Sequence, residues 1–394
     1  MTTVEGADVV VVGGGGLGSA TAWQLARRGV DVVLVERFAF GHCNGASHDT
    51  SRILRRSYHT PGYVRLAGEA YDDWALLSSE AGKQLVTTTG GVDLFPPGAA
   101  IPAVDYAGSM AACGVPFDEL SAAEVAARWP AFAPPQGTVA IYQEDTSIVP
   151  AERSTATMRR LARTHGARLY DGSPVIAMVD GGDGAELTLG PDGWRLRASR
   201  VVLTADAWTN ELLAHLGAAL PLTVLREQVT YFAPARPQDF GPHRLPVWIW
   251  MDDPSFYGFP TYAEGGHGGL VKAAQDCGGA PTTAYDRSFD PDPTALDRLR
   301  RFVAGLLPGV GAAHHTVTCL YTLTPDRDFV VDTVPNHPSV CLGLGAAHGF
   351  KFAPTFGRLL ADLATAGATT SDIAAFAMDR PALVDRDYRA NWLV

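Results

Sequence analysis

The chain has 394 residues, of which 46% are hydrophobic and 19% charged, and its formal net charge is −11. This composition excludes a disordered protein, and the length exceeds what one hydrophobic core usually serves. The negative charge argues against nucleic acid or an anionic membrane as a partner, because phosphate-rich surfaces require a basic footprint. We therefore expect two domains and neither nucleic acid nor a membrane as a partner.

The start of the chain does not have the pattern of a secretory signal peptide, because a basic segment is missing and the short apolar run passes directly into glycines. No stretch approaches the ~20 apolar residues of a membrane span. The five cysteines are scattered and have neither CxxC nor zinc-ligand spacing. We expect a cytoplasmic protein with reduced thiols and no metal site.

A βαβ unit is predicted near the start of the chain. An apolar strand, a glycine-rich turn, a helix and a second apolar strand are predicted at residues 9–12, 13–18, 19–28 and 30–35. The turn has the pattern G-x-G-x-x-G, and an acidic residue follows the second strand. This arrangement is typical of dinucleotide-binding proteins.

The residues of this unit have separate tasks. Gly13 permits the tight turn, Gly15 lets a pyrophosphate approach the backbone, and Gly18 lets the helix pack on the strand. The helix N-terminus would face the phosphates. Glu36, after the second strand, would accept hydrogen bonds from the ribose hydroxyls.

The remaining elements alternate between the two expected domains. Strands are predicted at residues 91–95, 137–143, 167–170, 185–189, 194–198, 200–204, 223–233, 256–260, 270–274, 316–323, 329–334 and 339–344. Helices are predicted after the capping-box pattern at 121–124, at 150–165, near 208, at 294–307 and after a turn at 345–351.

These elements predict an α/β (α+β) fold in which an FAD-binding Rossmann-like domain is interleaved with an antiparallel-sheet substrate domain. The FAD-binding domain would comprise residues 1–85, 150–220 and 324–394, and the substrate domain residues 86–149 and 221–323. NAD-dependent enzymes usually complete the nucleotide domain in one stretch, so the interruption favours a flavoprotein. The turn at 345–351 could direct N–H groups at the N1–C2=O edge of a flavin, where negative charge gathers on reduction.

Only three of the 31 basic residues are lysines, namely Lys83, Lys272 and Lys351. A lysine carries a compact charge whose pKa shifts on burial, whereas arginine stays ionised. Lys83 lies in a polar stretch and is predicted to be an ordinary surface residue. Lys272 and Lys351 lie in the apolar and glycine-rich segments GGLVKAA and AAHGFKFAP, so both are candidates for a chemical role.

Several motifs occur in one order and together resemble a known family. They are GGGGLG with Glu36, NGASH at 44–48, SRILR at 51–55, AW at 207–208, YGFP at 257–260, GLVK at 269–272, CLYTLTPD at 319–326, HGFKF at 348–352 and RPAL at 380–383. The chain resembles the monomeric sarcosine oxidase group of flavoprotein amine oxidases, within the D-amino acid oxidase-like superfamily. That group includes N-methyltryptophan oxidase, pipecolate oxidase and the fructosyl amino acid oxidases.

The resemblance runs essentially end to end and implies FAD as the cofactor. The implied cofactor-binding residues are Gly13, Gly15, Gly18, Glu36, Arg37, Ser47, His48, Ser51, Arg52, Val175, Trp208, Cys319, Gly349 and Lys351. Cys319 stands where the family attaches FAD through a thioether to the flavin 8α-methyl carbon, which a thiolate can form. The alternative is that Cys319 is a small buried hydrophobic residue, as most cysteines are.

The resemblance also implies catalytic and substrate-binding residues. Lys272 matches the family lysine that contacts flavin N5 through water and activates oxygen, since a fixed cation stabilises superoxide. It could instead reach solvent from its strand. Arg55 and Lys351 match the pair that binds the substrate carboxylate, and Arg52 would lie against the flavin ring. The implied residues of the cavity wall are Tyr257, Tyr321 and His348.

One segment departs from the family pattern. In sarcosine oxidases a histidine follows the oxygen-activating lysine by a few residues, whereas here the sequence is KAAQD at 272–276. Gln275 or Asp276 would therefore face the site. Trp248 and Trp250 could form an aromatic pocket for a bulkier substrate, or they could equally belong to the core.

The sequence thus predicts an FAD-dependent oxidase of a secondary amine or amino acid, which oxidises a C–N bond to an imine and reduces O2 to hydrogen peroxide. The enzyme is expected to be a monomer, with a dimer as an alternative. Two other functions remain open. One is a biosynthetic oxidase of a cyclic imino acid or aromatic amino acid, and the other is a flavin dehydrogenase in which Lys272 is idle.

Overall fold

The computed structural model describes residues 4–393. The strands are β1 (Val4–Val12), β2 (Val32–Val35), β3 (Ser51–Leu54), β4 (Thr87–Thr88), β5 (Gly91–Phe95), β6 (Asp118–Ser121), β7 (Val139–Gln143), β8 (Ser147–Pro150), β9 (Arg168–Tyr170), β10 (Val175–Asp180), β11 (Ala185–Leu189), β12 (Trp194–Leu203), β13 (Thr223–Ala233), β14 (Val247–Trp250), β15 (Phe256–Phe259), β16 (Val271–Gln275), β17 (Ala280–Pro281), β18 (Ala312–Leu323), β19 (Val330–Thr333) and β20 (Val340–Leu344). The α-helices are α1 (Gly16–Ala26), α2 (Pro61–Ala81), α3 (Ala103–Ala112), α4 (Ala122–Arg128), α5 (Ala151–Thr164), α6 (Thr209–Ala214), α7 (Pro293–Leu306), α8 (Ala353–Ala366) and α9 (Pro381–Val384).

The first sheet is mainly parallel and contains the predicted βαβ unit. Strands β9, β2, β1, β12 and β20 run parallel in that order. Strands β10 and β11 extend the first half of β12 as an antiparallel meander, and β19 pairs with β20. Because both halves of β12 are paired, it is one continuous strand, and the prediction of two strands at 194–198 and 200–204 is wrong.

Both faces of this sheet are buried. Val9 and Val11 belong to the core that packs against helices α1, α2 and α8, while Val10 and Val12 belong to the core on the other face. A parallel strand that is covered on both faces has a continuous apolar sequence, which is why this strand could be predicted from the sequence.

The second sheet is mainly antiparallel. Its order is β17, β13, β16, β15, β14, β5, β7 and β6, and β18 pairs with β13 along almost its whole length. Only the β14–β5 pairing is parallel. A small third sheet consists of β3, β8 and β4. The strands of the first and second sheets alternate in blocks along the chain, as the interleaved architecture predicts, while the domain bounds themselves stay a prediction.

Helix α2 is the largest element that the sequence analysis missed. Thr60 caps its N-terminus by accepting a hydrogen bond from the Tyr63 amide, Pro61 occupies its first turn, and Gly82 ends it at a φ of 61°. Its buried face repeats at helical spacing, including Tyr63, Ala67 and Trp74. Start signal, stop signal and period were therefore all present in the sequence. Strands β3, β4, β6, β8, β10, β14 and β17 and helices α3 and α9 were also missed.

Several predicted features are confirmed. The capping box of Ser121 and Glu124 is present at the start of α4. Strands β5, β11 and β13 have the predicted bounds, and α5 and α7 differ from theirs by one residue at each end.

Within residues 4–393, no helix is long and apolar enough to cross a bilayer, and no cluster of three or more His, Cys, Asp or Glu side chains is arranged to hold a metal ion.

Candidate active site

One cavity joins the glycine turn of the parallel sheet to the antiparallel sheet. Most of the predicted site residues line it, namely Gly13, Gly15, Glu36, Arg37, Ser47, His48, Ser51, Arg52, Arg55, Val175, Trp208, Tyr257, Cys319, Tyr321, His348, Gly349 and Lys351. Within residues 4–393, two predicted site residues do not line it. They are Gly18, which lies under the turn, and Lys272.

The glycine turn is closely packed where the sequence predicted close approach. Gly13 has a φ of +104°, and a Cβ there would lie 2.5 Å from the Thr204 carbonyl oxygen. A Cβ on Gly18 would collide with the carbonyl oxygen of Gly13. The hydroxyl of Ser47 accepts a hydrogen bond of 2.9 Å from the Gly16 amide at the start of α1. The turn therefore presents backbone to the cavity, as phosphate binding requires.

Glu36 is buried and ionised. Its carboxylate accepts hydrogen bonds from the amides of Gly14 at 2.7 Å and Phe38 at 2.9 Å, and His42 lies 3.4 Å away. Burial by itself would raise the pKa of Glu36, but these three groups together lower it. A carboxylate has about four acceptor positions, so Glu36 can still accept ribose hydroxyls.

The far end of the nucleotide cleft is formed by Arg37, Trp208 and Val175. The Arg37 guanidinium lies 5.5 Å from the centre of the Trp208 ring and 3.1 Å from a Glu211 oxygen. Val175 lies at the start of β10 and is buried. These residues supply an apolar and π-rich wall to which a planar base can pack.

Five buried polar atoms of residues that line the cavity have no hydrogen-bond partner among residues 4–393. They are His48 Nε2, Tyr58 Oη, Asp206 Oδ2, Trp208 Nε1 and Arg327 Nε. Buried polar atoms are nearly always hydrogen-bonded, so five unpartnered atoms along one cavity indicate a polar ligand. Together with the glycine turn and Glu36, they fit a bound FAD.

The turn after β20 is strained. Ala346 and Ala347 have φ values of 40° and 70°, a left-handed conformation that costs roughly 1–3 kcal/mol for each residue. A short 3-10 helix at Gly349–Phe352 follows and leads into α8. Ala347, Gly349 and Lys351 line the cavity. The predicted approach of this turn to the N1–C2=O edge of a flavin stays a prediction.

Arg52 is held by backbone carbonyl groups. Its guanidinium donates to the carbonyl oxygens of Ser51, Ala46 and His48 at 2.8–2.9 Å and lies 5.8 Å from the centre of the Phe350 ring. None of these acceptors carries a full charge, so the positive charge of Arg52 remains available to the cavity that it lines.

Arg55 is paired with a carboxylate that the sequence analysis missed. Its Nη1 donates to Asp93 Oδ2 at 3.0 Å, and the Ser57 hydroxyl donates to the same oxygen. Burial alone would lower the pKa of Arg55, but Asp93, Tyr106 and Tyr58 raise it, so the arginine stays charged. The available signal was an aspartate within the buried apolar strand β5, because a buried carboxylate requires a partner.

Lys351 is a buried basic residue that, unlike Arg55, has no paired carboxylate. Its ammonium lies 5.6 Å from the centre of the Tyr58 ring and, within residues 4–393, forms no ion pair. Burial, Arg55 and Arg327 hold the pKa of Lys351 well below its usual range. A carboxylate ligand would favour the ammonium form and satisfy it.

Aromatic and imidazole groups form the rest of the cavity wall to which Arg55 and Lys351 belong. The hydroxyls of Tyr257 and Tyr321 lie 3.3 Å apart. His348 Nε2 lies 3.0 Å from the Arg327 carbonyl oxygen, to which it donates as a neutral ring, because burial, Lys351 and Arg327 lower its pKa well below the usual value.

The departure from the family pattern is resolved in favour of Asp276. Gln275 accepts a hydrogen bond from Arg298, whereas Asp276 lines the cavity. Asp276 forms a two-point ion pair with Arg327, with separations of 2.8 Å to Nη1 and 2.9 Å to Nη2. Arg327 was not predicted from the sequence, although it directly follows the recognised CLYTLTPD motif.

The tryptophans belong to the core. Trp248 and Trp250 pack near the Phe302 ring, at 6.3 Å and 5.4 Å between centres, and neither lines the cavity. Ile249, which lies between them in β14, has the opposite orientation and lines the cavity. The possibility of an aromatic pocket formed by the two tryptophans is therefore wrong.

Lys272 does not reach solvent, because its side chain is 3% exposed. Its ammonium donates to Asp49 Oδ2 at 2.6 Å and to the Ser51 carbonyl oxygen at 3.1 Å. The surface alternative for Lys272 is thus wrong. Its predicted water-mediated contact with flavin N5 stays a prediction.

Cys319 lies on β18 and lines the cavity. Burial raises the pKa of its thiol to about 12, although Arg52 and Lys272 favour the thiolate. Glu227 is directly opposite Cys319 on β13 and is itself buried, with a pKa that burial raises to about 7. The predicted thioether therefore requires a proton acceptor for a thiol that is neutral in this arrangement.

The fold and the cavity define a dinucleotide-binding oxidoreductase in which a Rossmann-like turn and an antiparallel sheet share one cleft. The family model for FAD-dependent oxidoreductases of the DAO type matches residues 8–363, and the chain belongs to that family. The predicted resemblance, fold and FAD cofactor are thereby confirmed.

Three similar proteins illustrate the relationship. The monomeric sarcosine oxidase of Arthrobacter sp. (strain TE1826) is 30% identical over 96% of this chain and 98% of its own. The N-methyl-L-tryptophan oxidase of Salmonella arizonae is 27% identical over 95% of this chain and 98% of its own. The open form of NikD, an unusual amino acid oxidase essential for nikkomycin biosynthesis, superimposes with a TM-score of 0.84 at 29% identity, over 95% of this chain and 98% of its own. The chain is a flavoprotein of the amine and amino-acid oxidase class.

Proposed function

We propose that the protein oxidises a secondary amine or α-amino acid with a free carboxylate and passes the electrons to O2. The observation that carries the proposal is the meeting of Arg55, Lys351 and the paired tyrosines Tyr257 and Tyr321 at one cavity that also contains the FAD cleft. Two cations at one wall suit a carboxylate, and the aromatic side chains suit the carbon skeleton of the substrate.

The reaction removes two electrons and two protons from a CH–NH group and gives an imine, while O2 takes up two electrons and two protons and gives hydrogen peroxide. FAD, when bound, accepts the hydride equivalent and returns the two electrons to O2. The residues of the chain orient the substrate, exclude water and stabilise charge. Arg55 and Lys351 would hold the carboxylate, Tyr257 and Tyr321 would close the cavity, and Lys272 would supply positive charge for O2 reduction.

We also propose that FAD is attached through Cys319 and that the enzyme works as a cytoplasmic monomer. Cys319 is the cavity-lining cysteine on the motif that resembles the family's attachment site. The positive charges of Arg52 and Lys272, which favour the thiolate, support this assignment.

A second candidate is a biosynthetic oxidase of a cyclic imino acid or aromatic amino acid. The Asp276–Arg327 ion pair supports it, because this pair gives the cavity a polar wall at the position where sarcosine oxidases have a histidine. The likeness to NikD points in the same direction.

A peroxide assay across sarcosine, pipecolate, N-methyltryptophan and free amino acids separates these candidates. Peroxide formation with sarcosine supports the first, and formation with pipecolate or aromatic amino acids alone supports the second. Rapid anaerobic reduction of the flavin followed by negligible reoxidation in air would contradict both and identify a dehydrogenase.

A further inference from the structure

A carboxylate engages the ammonium that is proposed to activate oxygen. Lys272 Nζ and Asp49 Oδ2 lie 2.6 Å apart, and the two side chains are only 3% and 6% exposed. Asp49 lines the cavity and Lys272 does not, so the carboxylate reaches the cavity wall and the ammonium lies behind it. In a buried ion pair of this kind, each partner influences the protonation state of the other.

The antiparallel sheet builds this arrangement from a row of opposed residues. Lys272 on β16 is directly opposite Tyr231 on β13 and Phe259 on β15, and Tyr231 is opposite His315 on β18. Directly opposed side chains lie on the same face of a sheet and contact each other. The rings of His315 and Tyr231 stack at 4.5 Å, and the ring of His267 stacks on Tyr231 at 4.3 Å.

Tyr231 fixes the carboxylate from its other side. Its hydroxyl donates to Asp49 Oδ1 and lies 2.7 Å from the Thr50 hydroxyl. One carboxylate oxygen therefore receives the phenol and the other receives the ammonium. The stacked imidazoles of His267 and His315 leave the Tyr231 ring little freedom to move, so the phenol holds the Asp49 carboxylate in one orientation.

The backbone conformation at Asp49 is unfavourable for most residues, which indicates that the aspartate side chain is required at this position. Asp49 has a φ of 73°, in the left-handed region that favours glycine and that aspartate tolerates better than most residues. Its carbonyl oxygen accepts a hydrogen bond of 3.2 Å from the Glu152 amide. A strained backbone with a fully engaged carboxylate indicates a functional constraint.

Apart from Asp49, the surroundings of Lys272 disfavour its ammonium form. Burial and the nearby Arg52 lower the pKa of Lys272 to about 8, and Asp49 is the main group that acts in the opposite direction. Lys272 and Arg52 in turn outweigh burial and hold the pKa of Asp49 well below its usual range. Other titratable groups near the pair are His48, Tyr231, His315 and Cys319.

We infer that Asp49 is a positioning residue that keeps Lys272 protonated and fixed behind the cavity wall, and that Tyr231 orients Asp49 for this task. The inference rests on the proposed role of Lys272 in the reduction of O2. Without the carboxylate, Lys272 would face Arg52 in a buried site and release its proton near neutral pH. The chain would then lose the positive charge that O2 reduction requires.

The scarcity of lysine makes a direct test possible. Lysine labelled with carbon-13 at Cε should give three signals in the holoenzyme, one from each of Lys83, Lys272 and Lys351. The Lys272 signal is assigned by its loss in Lys272→Met. In Asp49→Asn we expect the titration midpoint of Lys272 to fall by about 1 pH unit or more, as expected when an opposite charge in direct contact is removed. The Lys83 signal serves as the internal control.

Two further variants complete the test. Tyr231→Phe keeps the stacked ring and removes the hydroxyl, so the midpoint of Lys272 should fall by a smaller amount. Asp145→Asn removes a half-exposed carboxylate that pairs with Arg56 and should leave Lys272 unchanged. If Asp49→Asn does not fold, Tyr231→Phe decides the question. An unchanged Lys272 midpoint in Asp49→Asn, or in Tyr231→Phe if Asp49→Asn does not fold, overturns the inference.

Oxygen kinetics separate this inference from the proposed function. Stopped-flow reoxidation of the reduced enzyme should slow in Asp49→Asn, and the pH at which the rate falls should move down with the Lys272 midpoint. If the midpoint moves but the rate with O2 does not, Asp49 positions Lys272 as inferred and the proposed oxygen role of Lys272 fails.

Discussion

Arg55 Nη1 lies 3.0 Å from Asp93 Oδ2 inside the cavity wall, with side-chain exposures of 8% and 6%. The carboxylate offsets much of the positive charge that Arg55 would otherwise present to a substrate. Lys351 has no ion pair among residues 4–393, and its lowered pKa means that it would contribute net charge once a substrate carboxylate favours its ammonium form. Arg55 contributes geometry, because its remaining N–H groups can still bind a carboxylate.

The separate contributions of Lys351 and Arg55 to substrate binding can be tested at Arg55. We expect Arg55→Gln to raise the KM for a carboxylate substrate about 10-fold or more and to lower the free energy of unfolding by about 3–5 kcal/mol, since Asp93 is left as an unpaired buried charge. Urea denaturation and steady-state kinetics measure the two effects separately.

The double variant Arg55→Gln/Asp93→Asn provides the control. Removal of both charges should restore much of the unfolding free energy, while the KM should stay high because the guanidinium is still absent. A double variant with normal KM would mean that Arg55 only compensates Asp93 and does not contact substrate.

Lys272 should act in the oxidative half-reaction alone. In Lys272→Met we expect substrate to reduce the flavin at a nearly normal rate, while reoxidation by O2 slows by about 10²–10³-fold, as for the loss of one preorganised charge. Lys83→Met, at an exposed position, is the matched control. Equal rates of reoxidation in the two variants would refute the assignment.

The same residue predicts a pH dependence of the oxidative half-reaction. Burial and Arg52 lower the pKa of Lys272 to about 8, and the active form is the protonated one. The rate constant for reoxidation should therefore be constant at low pH and fall as the pH rises through about 8. Stopped-flow measurements with pre-reduced enzyme would detect this, and a rate that rises over this interval would contradict it.

The parts of the fold that the sequence revealed are those in which local pattern and tertiary environment agree. The apolar run of β1, the glycine turn and the apolar run of β2 form a unit that needs no distant residue to be recognised. Strand β12 was predicted as two strands separated at Ser199, whereas pairing on both sides keeps the strand continuous.

The sequence indicated one member of each ion pair and not its partner. Lys272 and Arg55 lie in recognised motifs, and Asp276 lies in the segment that departs from the family pattern, but Asp49, Asp93 and Arg327 reach them from other elements. Asp49 and Lys272, for example, are separated by 223 positions in sequence. Such pairs are created by the packing of one strand or turn against another, and a single sequence carries no record of it.

Cys319 predicts a simple outcome for cofactor attachment. After acid precipitation, we expect the yellow colour to remain with the wild-type protein and to pass into the supernatant for Cys319→Ser. Cys113→Ser is the control, because Cys113 lies at the end of α3 and does not line the cavity. Release of the colour from the wild-type protein would exclude a covalent link.

Asp276 is expected to determine which substrates the cavity accepts. In the wild-type protein its two carboxylate oxygens lie within 2.9 Å of the two terminal nitrogens of Arg327. In Asp276→Asn the buried guanidinium loses its anionic partner, and a second carboxylate on the substrate can take that place as a charge-assisted ligand. Such hydrogen bonds are worth about 1.5–3 kcal/mol.

We therefore expect kcat/KM for N-methylaspartate relative to sarcosine to rise by about 10–100-fold in Asp276→Asn, measured as peroxide formation or flavin reduction. Gln275→Ala is the matched control, because the adjacent Gln275 bonds to Arg298 and does not line the cavity. A rise of the same size in both variants would mean that the strand has merely loosened. An unchanged ratio in Asp276→Asn would show that Arg327 does not reach the substrate, and that the ion pair supports the wall without selecting what binds there.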